Sequence, residues 1–189
     1  MELLVAIFAF LDQDPGHRTR EEILRVRELG RRQEELARTV EALDRSLRNE
    51  KAPVFRFALD RIREDMTRAA AELRRPDTGA AVQQMQAELL KRLRALADHF
   101  GDFRKGRLSS SSEPGRGRRT SDLAELRLLR ELQKDLLART QELSLRLAEG
   151  KEDWSPIEKV ALRSLSGEQG RLAELVRELS ARDSIVPKE

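Results

Sequence analysis

Apolar residues recur along most of this chain at alternating spacings of three and four, and no other feature restricts its folding as strongly. From Val26 the positions Leu29, Leu36, Val40, Leu43 and Leu47 keep that alternation, with Gln33 in the one slot that an aliphatic side chain does not take. On a helix such a stripe stays on one face, so the segment has to bury that face against another helix. The stretch RQEELARTVEALDRSL at 32–47 returns as LQKDLLARTQELSLRL at 132–147. Aligning Gln33 with Gln133 places Leu29, Leu36, Leu43 and Leu47 on Leu129, Leu136, Leu143 and Leu147 without a gap. The chain carries one helical pattern twice.

How much such stripes can bury is limited by composition. Of 189 residues 38% are charged and 4% aromatic, with no Tyr, which favours a thin leucine seam over a deep interior. The 37 Lys and Arg nearly balance the 34 Asp and Glu, so the charges read as solvated outer faces, and nucleic acid is disfavoured as a partner. Cysteine is absent, which removes disulfides, thiolate metal sites and a Cys nucleophile.

The opening MELLVAIFAFL has no positive leading region, carries Glu2 and runs into DQDPGH without a small-residue cleavage site. Residues 1–18 are therefore read as a short apolar segment that docks on the bundle or a partner, in a cytoplasmic chain. The alternative is a truncated export signal or membrane anchor, which would place the protein in the periplasm or cell envelope.

Boundaries follow from caps and breakers. Thr19 and Glu22 have capping-box spacing, and the first helix runs from there to NEKAP. Pro53 suits the first turn of a second helix, with Ala58, Leu59, Ile62, Met66, Ala69 and Leu73 on one face. Asp77 or Thr78 can cap a third, striped by Val82, Met85, Leu89, Leu93, Leu96 and Phe100. Residues 19–100 thus form a three-helix unit. The segment 101–120, GDFRKGRLSSSSEPGRGRRT, loses the periodicity and reads as a flexible Ser/Gly/Arg linker. Asp122 and Glu125 restart a helix, and Ser155, Pro156 and Glu158 start the next with a cap, a first-turn proline and a capping carboxylate. Residues 121–182 form a second hairpin related to 19–75, since Pro53 aligned on Pro156 puts Ala58 on Ala161 and Ile62 on Leu165. Residues 183–189 are a tail. Gly167 and Gly170 mark a close backbone approach or a break in the last helix.

Catalytic patterns are lacking. His17 sits in a turn and His99 near a helix end, with no shared ligand spacing, and there is no phosphate-binding glycine loop or nucleophile elbow. No acid points into the leucine seams, as a helical metal enzyme would need. No enzyme activity, metal or cofactor is expected. Arg104, Lys105, Arg107, Arg116, Arg118 and Arg119 are weak candidates for contacts to phosphate or lipid, because no aromatic platform accompanies them beyond Phe103. Gln33, Gln133 and Gln169 occupy seam positions, where each amide should bond across helices and fix register.

The phrases DLAELRLLRELQKDLLARTQEL, GEQGRLAELVREL, VFRFALDRIREDM and AAVQQMQAELLKRL resemble helical proteins of planctomycete-type bacteria, over most of the span from Glu21 to Leu179. That resemblance implies a helical, coiled-coil-like fold, often in exported proteins with low-complexity linkers, and brings no reaction, ligand or site residue. The expectation is an all-α protein of tandem antiparallel hairpins with a disordered central linker. Its expected role is noncatalytic, structural or in protein–protein interaction, through seams that meet a protein partner or a second copy. The alternative is a membrane-peripheral envelope protein anchored by its apolar N-terminus.

Overall fold

The computed structural model describes residues 19–74, 80–109, 114–148 and 156–184, and every segment of regular structure among them is helical. The helices are α1 (Arg20–Leu47), α2 (Pro53–Leu73), α3 (Ala80–Ser109), α4 (Pro114–Ala148) and α5 (Pro156–Ser184), with one 3-10 turn, Arg48–Glu50, between α1 and α2. The chain divides into two compact units, Met1–Asp98 and His99–Glu189, and the division falls inside α3. The apolar segment 1–18, the caps Asp77, Thr78 and Ser155, and residues 185–189 lie outside the described residues.

In the first unit α1 begins at the expected capping box. Thr19 Oγ1 accepts from the Glu22 amide at 3.3 Å, and Glu22 Oε2 accepts from the Thr19 amide at 2.6 Å, so two of the helix's free donors are satisfied. Pro53 stands in the first turn of α2, where its missing N–H costs nothing. Gly30 lets the two helices of this hairpin close up: a Cβ there would lie 3.3 Å from the Ala70 carbonyl oxygen and 3.3 Å from Leu73 Cβ. Small residues at the crossing, Ala69 and Ala70, are fully buried opposite it. The N-terminal part of α3 joins through side chains. Val82 forms an apolar cluster with Val26 and Leu73, against which Leu29, Leu90 and Leu93 pack. At about 1.5–3 kcal/mol for each fully buried aliphatic or aromatic side chain, Phe55, Leu59, Ile62, Leu73 and Leu89 account for much of the driving force here.

The second unit holds α4 and α5 as an antiparallel hairpin with one seam. Leu128, Leu129 and Leu136 of α4 and Leu165, Leu172, Leu175 and Leu179 of α5 are buried. Of the stretch 101–120 expected as a flexible linker, the described residues are helical, since α3 runs on to Ser109 and α4 starts at Pro114. Phe103 explains the first part: it is buried and stacks on Phe100 with centroids 6.1 Å apart, so the segment has the apolar burial that offsets ordering. Asp102 adds exposed pairs to Lys105 at 3.8 Å and to Arg127 of α4 at 3.6 Å. Asp122 and Glu125 accordingly lie in the interior of α4 and cap nothing. Residues 183 and 184 of the expected tail belong to α5, which includes Ser184.

The two hairpins do not share the register that their sequences suggest. The buried α1 positions Val26, Gly30, Gln33, Ala37 and Asp44 fall, one hundred residues on, at Leu126, Arg130, Gln133, Leu137 and Ser144, all exposed. A displacement of ninety-nine instead brings them to Glu125, Leu129, Leu132, Leu136 and Leu143, all buried or half-buried. One residue is a rotation of about 100° about the helix axis, so α4 packs through a neighbouring face.

Candidate functional site

Four carboxylates lie in the helix seams, against the expectation that none would: Asp44, Asp65, Glu125 and Glu168 are all buried. Each meets an arginine of another helix. Asp44 of α1 accepts from Arg56 Nε of α2 at 3.2 Å, and Asp65 of α2 pairs with Arg92 of α3. In the second unit Glu125 of α4 accepts from Arg182 Nη1 of α5 at 3.3 Å. Glu168 of α5 takes both terminal nitrogens of Arg139 of α4, Nη1 at 3.1 Å. An isolated carboxylate would not remain ionised in such a seam, whereas a fork-shaped guanidinium offsets its desolvation and fixes which residues face each other. Pattern reading missed these acids because a heptad scan treats a charge in a stripe as a break in it. Complementary Glu and Arg on facing helices was the signal available.

These pairs also explain the choice of face on α4. Leucines surround that helix, at Leu123, Leu126, Leu128, Leu129, Leu132, Leu136 and Leu137, so apolar spacing alone supports more than one packing face. The face actually used is the one that carries Glu125 and Arg139 to their partners. It leaves Gln133 and Thr140 exposed, and Thr140 Oγ1 donates back to the Leu136 carbonyl of its own helix at 2.8 Å.

The three glutamines expected in seams therefore part company. Gln33 is fully buried, while Gln133 and Gln169 are exposed and fix no register. Gln33 itself does not bond across helices: neither its Oε1 nor its Nε2 has a hydrogen-bond partner. Gln86 of α3, which the sequence pattern did not single out, is equally buried and equally unpartnered. Gly167 and Gly170 mark neither a close approach nor a break, since open space surrounds both and α5 is continuous through them. Close approach occurs at Gly30 instead.

Of the six basic residues considered for phosphate or lipid, Arg104 and Lys105 are exposed on the last turns of α3, and Lys105 is engaged by Asp102. Arg107 stands on α3 and Arg116, Arg118 and Arg119 on α4, but their side chains are not among those described. His99 is half-buried on α3, and His17 lies outside the described residues. Among the described residues no group of three or more His, Asp or Glu is placed to hold a metal ion, and no helix is long and apolar enough to cross a membrane.

Much of the surface charge is instead paired along single helices. Glu28 accepts from Arg31 Nε at 2.8 Å and from Arg32 Nε at 3.1 Å, and these bonds, Arg31 first, hold its carboxyl down at about 2. The same partnership raises Arg31. On α4 the bond from Lys134 Nζ, at 2.7 Å, lowers Glu131 in the same sense.

Fold and seams together define an all-α protein built of helical hairpins whose facing helices are keyed by buried carboxylate–arginine pairs. No protein-family model, curated protein or solved structure matches the chain.

Proposed function

We propose that the protein is a noncatalytic structural or interaction protein that associates with a second copy of itself through the turn end of the α4/α5 hairpin. One observation carries this reading. Leu137 and Leu145 near the end of α4, and Val160 and Leu162 near the start of α5, are 57%, 69%, 64% and 43% exposed, although the hairpin has already closed its own seam. Large aliphatic side chains left exposed after a hairpin has closed its own seam are the kind of surface that marks association. The seam pairs hold the two helices in fixed register, so these side chains are presented on a rigid support.

Size-exclusion chromatography with light scattering tests this on the full chain. The expected result is an assembly larger than one chain that the double substitution Leu137→Glu, Leu162→Glu converts to a monomer with its helical circular dichroism intact. A wild-type chain that stays monomeric at high micromolar concentration removes the proposal.

A further inference from the structure

Positive charge in the second unit is concentrated where α3 ends and α4 begins. Residues 103–130 hold eight Arg and Lys against three Asp and Glu, an excess of five, while the whole chain carries only +3. Of those acids Asp122 is half-buried and Glu125 is buried against Arg182, so neither is exposed, and Glu113 lies outside the described residues. The outer side of α4 is a stripe on which Leu123 and Leu126, both 46% exposed, stand beside exposed Arg127 and Arg130. Arg119 and Arg116 precede Leu123 by four and seven residues, which places them on the same helical register. The last turns of α3 repeat the pattern. Leu108 is 69% exposed, and Arg104 and Lys105, four and three residues before it, are exposed on the same face. Asp102 and Arg127 join the two helices here at 3.6 Å.

Leucines set one turn from arginines decide which anion suits such a surface. Nucleic acid would satisfy the cations and leave the leucines in water. An anionic bilayer takes both, because leucines enter the acyl boundary while the long basic side chains reach back to the headgroups. We infer that the outer side of α4 from Arg116 to Arg130, with the last turns of α3, is a docking surface for a membrane containing anionic phospholipid. Contact is peripheral, since among the described residues no helix can cross a bilayer. The surface uses other residues than the self-association proposed above and does not depend on it.

Flotation of the full-length chain with vesicles is the test, comparing phosphatidylcholine alone with phosphatidylcholine that contains phosphatidylglycerol. The chain is expected to float with the mixed vesicles only and to be released as salt rises. Arg104→Gln, Lys105→Gln and Arg130→Gln together are expected to weaken binding about 100-fold, at about fivefold for each charge near the surface. Leu108→Ser with Leu126→Ser keeps every charge and is expected to weaken binding at least about tenfold at low salt. All five positions are exposed, so helical circular dichroism and the assembly state by light scattering should match the wild type. A wild type that does not bind the mixed vesicles overturns the inference. So does unchanged binding in the basic variant, which would move the contact elsewhere in the chain, residues 1–18 included. Unchanged binding in the leucine variant also overturns it, leaving charge pairing alone. A DNA oligonucleotide bound more tightly than the mixed vesicles, and equally well by the leucine variant, overturns it in favour of nucleic acid.

Discussion

Arg139 of α4 grips Glu168 of α5 through both terminal guanidinium nitrogens, with the carboxylate buried and the arginine side chain 26% exposed. Fourteen residues back along α4 and fourteen forward along α5, Glu125 meets Arg182, so the two pairs sit on one antiparallel register about four turns apart. Between them lie Leu128, Leu129 and Leu136 on one helix and Leu172, Leu175 and Leu179 on the other. The charges bracket the apolar seam and make a shifted pairing costly at two places at once.

Removing one partner should therefore cost more than removing both. Arg139→Met leaves Glu168 buried without its main partner and is expected to destabilise the hairpin by about 3 kcal/mol. The double substitution Arg139→Met, Glu168→Leu is expected to recover part of that loss, because an apolar pair of similar volume avoids the desolvation of both charges, while the 3.1 Å pair of Arg139 Nε with Asp135 is lost in either variant. Urea denaturation followed by circular dichroism measures both. Additive losses in the double variant would show that the two side chains act independently, contrary to their geometry.

Glycine in these helices should have opposite effects according to what stands beside it. At Gly30 a methyl group would meet the Ala70 carbonyl oxygen and Leu73 Cβ at 3.3 Å each, a contact that pushes α1 and α2 apart. Gly30→Ala is expected to lower stability by about 1–2 kcal/mol despite the better helix propensity of alanine. At Gly167 and Gly170 nothing lies within 4 Å, so only propensity remains, and the double alanine variant is expected to gain about 1–2 kcal/mol. Thermal denaturation midpoints of the three variants should move in these directions.

The contrast between those glycines shows where the residues were informative. The starts of α1 and α2 were legible because a cap is local: Thr19 with Glu22, and Pro53, act within one turn, and the structure uses them as spaced. Which face of a helix is buried is a property of two helices, and on α4 leucines on several faces left it open until Glu125 and Arg139 found their partners. The glutamine alignment failed for that reason, with Gln33 buried and its counterpart Gln133 exposed. The first part of the Ser/Gly/Arg stretch is helical because Phe103 is buried, which a composition of serines and arginines does not register.

Glu28 should make stability depend on pH in a defined window. Its bonds to Arg31 and Arg32 lower its carboxyl from 4.5 to about 2 in the folded chain. A carboxyl lowered in the folded state contributes stability above its unfolded value, and that contribution is lost as pH falls from 4.5 toward 2. Glu28→Gln is thus expected to lower the melting temperature modestly at pH 7, to match the wild type near pH 2, and to lose most of its effect in 1 M salt because the site is exposed. Melting curves at pH 7, 4 and 2, with and without salt, decide it. A difference that persists at pH 2 would point to helix propensity and away from charge.

Lys51 is the one residue other than glycine, among those described, with positive φ, at 53°. It closes the 3-10 turn Arg48–Glu50 and directs the chain toward Pro53, so this left-handed position sets the entry of α2 beside α1. A residue with a Cβ loses about 1 kcal/mol there, while glycine adopts the conformation freely at some cost in unfolded-state entropy. Lys51→Gly is expected to stabilise the chain by about 0.5–1 kcal/mol, and Lys51→Val to destabilise it by about 1 kcal/mol or more, because branching at Cβ crowds the left-handed backbone most. Lys51→Ala should fall near the wild type, which separates the backbone effect from loss of the exposed charge. Chemical denaturation midpoints ordered Gly, then Lys and Ala together, then Val support a turn under conformational strain, and equal midpoints for all four chains would mean that the turn relaxes at no cost.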